Sequence, residues 1–306
     1  MADPPPPLVF DTGFSSNAGE PEQVLDGVVR LTAPNPGPYT FTGTNSFILG
    51  GGGSVAVLDP GPHDARHRRA LLDIVGSRRV EAILLTHTHK DHSAGAAALS
   101  EATGAPLWFG GPHRLSRQPR LLEINVLARD CDWGLAPDRT FFDGETFAVA
   151  GMELTAIATP GHCANHMCYG IGSSGHLLSG DHVMGWNSTL VAVPDGSMAD
   201  YLASLRKVIA LPYSTYLPAH GGSIDDARLY AGALLAHREF RNRQIVEAVS
   251  GGATRIGGLL RRVYPTISPS LRAAAAMTLK AHVEYLETEG LIGVRRGIFG
   301  LRLTPA

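Results

Sequence analysis

Cysteine is scarce in this chain: Cys131, Cys163 and Cys168 are the only three among 306 residues. An odd number without framework spacing excludes a disulfide scaffold and fits a reducing compartment. Long apolar runs are also missing. Nowhere do about eighteen apolar residues follow one another, so no membrane-spanning helix and no membrane partner are expected. The amino terminus, Met1-Ala2-Asp3 followed by four prolines, has neither the basic region nor the apolar core of a secretory leader. A cytosolic location is the expectation. Net charge is nearly absent too, at −2, so the chain as a whole is not drawn to nucleic acid or lipid. What is present is an ordinary 44% apolar content and enough length for one large domain and a small one.

Against that plain background stands Thr86-His87-Thr88-His89-Lys90-Asp91-His92. The run Ala82-Ile83-Leu84-Leu85 before it reads as a buried strand, and Ser93 to Leu99 after it reads as the start of a helix. Three imidazoles and a carboxylate at a strand end would each cost on the order of several kcal/mol if buried unpaired. A metal ion removes that cost, and imidazole nitrogen with carboxylate oxygen is a donor set zinc accepts. In an extended turn His87 and His89 project to one side, while Asp91 and His92 come round at the helix start to a second position. The spacing suits two adjacent ions.

The same strand-then-ligand order recurs three times. Leu154 to Ala158 leads into Thr159-Pro160-Gly161-His162, Leu177-Leu178-Ser179 into Gly180-Asp181-His182, and Thr215-Tyr216-Leu217 into Pro218-Ala219-His220. These turns offer two imidazoles and a carboxylate, which is what a dinuclear site still needs after His87, His89, Asp91 and His92. Two divalent ions about 3.5–4 Å apart hold a hydroxide near neutral pH, and that hydroxide is the expected nucleophile. Asp91 is the candidate proton acceptor. His166 is a candidate to donate to substrate or to orient a ligand, while His113 and His182 read as ordinary polar residues.

Around these motifs the chain divides into residues 1–24, proline- and glycine-rich and expected to be loose; 25–223, where short strands give way to alternating helices and strands; and 224–306, mainly helical. Residues 110–140 are an irregular excursion, expected to form a lid or substrate wall. Near the carboxyl terminus, Leu291–Val294 and Phe299–Leu303 read as a hairpin with Arg295 and Arg296 at its tip. From Arg238 onward there are eleven Lys or Arg against five Glu, an excess of six that leaves the preceding residues at −8.

His87-x-His89-x-Asp91-His92, followed by Gly161-His162, Gly180-Asp181 and Ala219-His220-Gly221, resembles the metallo-beta-lactamase superfamily. Asn35-Pro36-Gly37-Pro38 with Gly43-Thr44-Asn45, His166-Met167, and His237-Arg238 with Arg241 and Gln244 are similar to the beta-lactamase-like protein 2, endoribonuclease-type group. The resemblance implies an α/β fold, a four-layer αβ/βα sandwich, to which three helices and a hairpin add a winged-helix-like carboxyl-terminal module. It implies two divalent ions, zinc by donor type. His87, His89 and His162 would hold the first, Asp91, His92 and His220 the second, with Asp181 bridging. The function it implies is hydrolysis, with single-stranded RNA as the substrate expected from the subgroup and from the basic carboxyl-terminal excess. The alternative is a small-molecule hydrolase of esters, thioesters, lactones or, weakly, beta-lactams. Oligomeric state is not legible.

Overall fold

Alternating apolar residues build the first half of the chain into one sheet. A computed structural model, which describes residues 8–121, 123–297 and 300–306, places in it β1 (Pro21–Leu25), β2 (Val28–Thr32), β3 (Asn45–Leu49), β4 (Ser54–Leu58), β5 (Arg79–Leu85), β6 (Leu107–Phe109) and β7 (Arg139–Thr140). Their order in space is their order in sequence. The sheet is antiparallel from β1 to β4 and parallel from β4 to β7. Parallel neighbours require crossovers, supplied by α1 (Ala65–Val75) and by α2 (Lys90–Ser93) with α3 (Ala96–Thr103). Asp64 starts α1 by accepting from the backbone N–H groups of Arg66 and His67, a cap worth about 1 kcal/mol.

The second sheet contains β8 (Glu145–Val149), β9 (Met152–Ala158), β10 (Met167–Ile171), β11 (His176–Gly180) and β12 (Thr215–Pro218), and α4 (Met198–Ala210) links its last two strands. The period of two along each strand decides what packs where. Ala56 and Leu58 of β4, Ala82 and Leu84 of β5, and Tyr169 of β10 fill the space between the sheets. Val55, Val57, Ile83 and Leu85 point the other way, onto Leu71 and Leu99 of the helices. On the far side Cys168, Leu177 and Tyr216 meet Leu202 and Leu205 of α4. The result is the expected four layers, helix, sheet, sheet, helix, with every cysteine a free buried thiol.

The remainder is α5 (Ala227–Ser250), α6 (Ile256–Val263), α7 (Arg272–Thr288) and the antiparallel pair β13 (Ile292–Gly297) and β14 (Gly300–Pro305). Ile245, Leu259, Leu279, Val283 and Leu303 form a separate apolar cluster there. Helix α5 is shared, because Ala231 and Leu234 in its first half pack with α4 instead. Two expectations change. Arg295 and Arg296 are strand residues paired with Arg302 and Leu301 rather than a hairpin tip, because β13 runs on to Gly297; Phe299 lies outside the described residues. The segment before residue 25 is anchored from Leu8 on. Leu8 packs against the α4 side, Asp11 donates its N–H to Gly185 O, and β1 pairs with β2. Residues before Leu8 lie outside the described ones.

The excursion between β6 and β7 is held at both ends of its course. Lys90 N–H donates to Asp130 O and Asp132 N–H to Thr88 O, tying it to the histidine loop. Arg117 meets both Glu123 and Glu284, and Arg120 donates to Glu284 at 2.6 Å, tying it to α7. The Arg117 guanidinium holds the Glu123 carboxyl down at about 2. A depressed carboxylate contributes stability above its usual value that is lost only as pH falls through the folded value, so this clasp persists at pH 4. Glu284→Gln should speed deuterium uptake by residues 112–130 at least severalfold. Global stability should change by about 1 kcal/mol, near the upper end for surface ion pairs, because these side chains are only partly exposed. Unchanged exchange would show that the backbone ties alone hold the excursion.

Candidate metal centre

Four strand ends converge at one rim of the sandwich. The turn after β5 carries Thr86 to His92, that after β9 carries Thr159 to His166, β11 ends at Gly180 beside Asp181, and β12 delivers His220. Glycine is obligatory at the third of these. Gly180 has φ +53°, and a Cβ there would sit 2.6 Å from His166 Nε2.

All the ligands expected from the sequence meet. His89 Nδ1 lies 3.1 Å from His87 Nε2 and 2.8 Å from His162 Nε2. Asp91 Oδ2 lies 3.4 Å from His92 Nε2 and 3.3 Å from His220 Nε2. Asp181 stands between the two clusters: Oδ1 is 3.6 Å from His92 Nε2 and 3.4 Å from His220 Nε2, and Oδ2 is 3.6 Å from His162 Nε2.

In every ring the other nitrogen is already committed. His87 Nδ1 donates to Thr86 Oγ1, whose own proton goes to Asp59; His89 Nε2 donates to Asp195 Oδ2 and His92 Nδ1 to Asp59 Oδ2; His162 Nδ1 donates to Leu190 O and His220 Nδ1 to Gly43 O. These bonds set the tautomers and turn the ligating nitrogens inward. In the first cluster three ring nitrogens converge, and although burial works against a charge on His89, the hydrogen bond and charge of Asp195 override it and raise that ring's pKa. Burial, then the neighbouring charge of His92 and His89, holds His87 well below its usual pKa, and burial brings His162 down to about 4, so neither ring carries a proton inward. In the second cluster burial works against His92 and His220, but Asp91 and Asp181 override it and raise both, His220 to about 9. Burial likewise raises Asp91 and Asp181 less than the facing imidazoles lower them, so both stay charged. The buried His92 Nε2, His220 Nε2 and Asp181 Oδ1 have no hydrogen-bond partner. Both clusters are thus built around positive charge, and their nitrogen and oxygen donors can hold metal ions.

Of the two roles expected for His166, the geometry favours orienting a neighbouring side chain over donating to substrate. It is 1% exposed, its Nδ1 bonds Thr159 Oγ1, and its Nε2 accepts the backbone N–H of Asp181. Both nitrogens are used, so it positions the Asp181 backbone between the two clusters and has nothing to give a substrate. His182 is buried against the Tyr201 ring, and burial lowers its pKa to about 3. His113, expected to be an ordinary polar residue, belongs to the support. Its Nε2 meets Asp195 Oδ1 at 2.9 Å, and its Nδ1 meets Thr88 Oγ1. Two carboxylates escape the sequence reading altogether. Asp59 accepts from Thr86 N–H, Thr86 Oγ1 and His92 Nδ1, and Asp195 holds His89 and His113 together. Each lies in a turn rich in proline and glycine: Asp59-Pro60-Gly61 ends β4, and Pro194-Asp195-Gly196 precedes α4.

The clusters open into a cavity of about 490 Å³. His89, Asp91, His162 and Asp181 form its floor. Tyr39 of the β2–β3 loop, Leu127 of the excursion, and Met184, Trp186 and Leu190 after β11 form its sides. The far wall comes from the carboxyl-terminal helices and the link between them, through Tyr264, Ile267, Leu271, Ala274 and Ala275, with Arg238 of α5. The expected excursion wall is present, and the carboxyl-terminal module lines the same cavity with mainly apolar side chains beside Arg238.

A family model described as the metallo-beta-lactamase superfamily matches residues 39–220, more than half of the chain. A beta-lactamase-like protein 2 homolog from Caenorhabditis elegans is 28% identical over 275 residues, covering 89% of this chain and 88% of its own. An atrochrysone carboxyl ACP thioesterase from Aspergillus fumigatus is 29% identical over 227 residues, 72% of this chain and 64% of its own length. Among solved structures, a metallo-beta-lactamase family protein from Thermus thermophilus superposes with a TM-score of 0.75 at 28% identity, covering 93% of this chain and 100% of that one.

Proposed function

The chain belongs to the metallo-beta-lactamase superfamily, and from that premise we propose that it hydrolyses small acyl esters, thioesters first among them, with two divalent ions, zinc by donor type. The observation that carries this reading is the cavity. Apart from Arg238 and Thr278 its far wall is apolar, built by α7 and the chain between α6 and α7, which suits an acyl chain. An RNA strand needs an open cationic groove leading to the metals. Apart from Arg238 in the cavity wall, the basic carboxyl-terminal excess offers little of that kind, since Arg296 is paired with Glu287 and Arg262 donates to the carbonyls of Ala248 and Gly251. The thioesterase among the relatives points the same way.

His87, His89 and His162 would hold one ion, Asp91, His92 and His220 the other, and Asp181 both. When bound, such ions acidify water toward neutral pH and polarise a carbonyl oxygen. The chain's own residues do the rest. Asp91, at 29% side-chain exposure the most open of the ligand set, lines the cavity, and His92 and His220 keep it charged. It is the group placed to take the proton of an attacking water. His166 is fully engaged, and among the described residues no imidazole beyond those of the two clusters lines the cavity to protonate a leaving group. A thiol, with a pKa of about 8.5, departs as the anion far more readily than an alkoxide does.

The test is a side-by-side turnover screen of metal-loaded protein on acyl thioesters, oxygen esters, lactones, lactams and single-stranded RNA. The highest kcat/KM is expected for a thioester, and RNA cleavage at matching efficiency would return the assignment to the endoribonuclease reading. Filling the far wall probes the same idea. Ala274→Phe should raise KM for thioesters of medium-length acyl chains about tenfold or more while acetyl thioesters change little, since one or two displaced methylenes are worth roughly 1–3 kcal/mol in an apolar pocket. Equal effects on short and long chains would mean that the acyl group does not lie there.

A further inference from the structure

Arg238 is a cation without a counterion among the described residues. Its side chain enters the cavity wall from α5, and the residue is 2% exposed. Nη2 donates to Thr189 O, the guanidinium lies 5.2 Å from the Tyr201 ring centroid, and Nε is buried with no partner. Its neighbour Arg241 is the same: it donates to Gln244 Oε1 and Val263 O and stacks 4.2 Å over the Tyr264 ring, again with no acid among the described residues. Other arginines of this chain that are only partly buried, Arg117 and Arg296, each have a glutamate. The acids on the same cavity wall are otherwise engaged or outside: Asp91 and Asp181 face His92 and His220, and Asp130 is exposed. A guanidinium taken out of water normally needs an ion partner, because its desolvation is otherwise unrepaid. Here the residue lines the cavity, the side from which a partner can approach it.

We propose that Arg238 anchors an anionic group of the substrate, a carboxylate or phosphate carried on the acyl or the leaving-group side. Thr189 O, which Arg238 holds, is adjacent to Leu190 O, which orients His162. The anion therefore sits beside the first cluster, and the reacting carbonyl is only a short chain away from it. Apolar contacts on the far wall set the chain's bulk, and Arg238 sets its register. Arg238 touches the substrate's anion and not its reacting atoms, so it is a specificity residue.

The reaction class assumed here is the acyl hydrolysis proposed above, and the experiment separates the two. Three thioesters of matched length are compared on the full-length metal-loaded protein. They are glutaryl thioester of a neutral thiol, its methyl ester, and pentanoyl thioester of a phosphate-bearing thiol, each with wild type, Arg238→Met and Arg238→Lys. Glutarate and dimethyl glutarate binding is measured by calorimetry on the same proteins. Wild type should prefer at least one anionic substrate over the neutral one by tenfold or more in kcat/KM. The arm that shows the preference identifies which side bears the anion. Arg238→Met should collapse that ratio toward one, with Arg238→Lys restoring part of it. Loss of activity in Arg238→Met by the same factor on all three substrates would overturn the proposal and leave Arg238 as a prop for the Thr189 loop. A wild type that shows no preference overturns it as well. If no thioester is turned over but glutarate binds wild type at least tenfold more tightly than Arg238→Met, the anchor stands and the reaction class falls. If neither turnover nor Arg238-dependent binding is seen, the anchor is rejected.

Discussion

Asp181→Asn should lower turnover on the order of 10²–10³-fold, a loss typical of removing one preorganised electrostatic group from an active site, and should cut bound metal from two ions to one or fewer per chain. The substitution keeps the side chain's volume and leaves the backbone N–H that His166 holds. What it removes is the charge shared between clusters, with one oxygen toward His92 and His220 and the other toward His162. No other carboxylate among the described residues is placed to replace it. Asp91 reaches only the second cluster, and Asp59 and Asp195 bind the outward nitrogens of His92 and His89. The fold should survive, because the layers rest on apolar contacts between strands and helices remote from the rim. Metal analysis after exhaustive dialysis, circular dichroism and turnover on the same preparations separate these effects. Two ions retained with undiminished activity would remove Asp181 from the bridging role, and an unfolded variant would make the metal structural.

The ligand set is legible in the sequence because its densest part is local: four donors within six residues, preceded by a strand and followed by a helix, need no tertiary information to be grouped. His162, Asp181 and His220 can be added because each repeats a strand end, where side chains of adjacent strands necessarily gather. Support from a distance is not legible. Asp59 is 33 residues from the His92 it orients and Asp195 is 106 from His89, and a single aspartate in a turn carries no mark of what it will meet. The function of the carboxyl-terminal residues is hidden for a different reason. Their charge excess is visible in composition, but apart from Arg238 and Thr278 the side chains they turn toward the cavity are mainly apolar, and several of the basic ones are spent on local glutamates and carbonyls. Net charge over a segment says nothing about which face holds it. Helix α4 is easily missed although Ser197 caps it, because Ser197 lies in a stretch whose strongest signals are those of the ligands.

Asp59→Ala should cost stability more than any ligand substitution at the rim, by about 3–5 kcal/mol, the range found when one partner of a buried charged network is removed. Asp59 is 1% exposed, and its carboxylate accepts from Thr86 N–H at 2.7 Å, Thr86 Oγ1 at 2.7 Å and His92 Nδ1 at 3.0 Å. Each donor would be left buried without an acceptor, since Thr86 and His92 are both almost wholly enclosed. The backbone adds to the cost, because Asp59 has φ +49°, a left-handed conformation that aspartate tolerates better than alanine does. Asp59→Asn is the informative partner. It keeps the shape and the left-handed preference, and its amide oxygen can accept from one or two of the three donors while its NH₂ opposes the third. It should recover part of the stability and little of the activity, because His92 would lose the acceptor that fixes its tautomer. Urea unfolding of the metal-free proteins measures the first quantity without contribution from bound ions, and turnover of the metal-loaded proteins measures the second. If Asp59→Ala unfolds at the wild-type midpoint with an unchanged slope, the hydrogen bonds to Asp59 are not what holds the histidine loop against β4, and the rim must be fixed by the pairing of β4 with β5 alone.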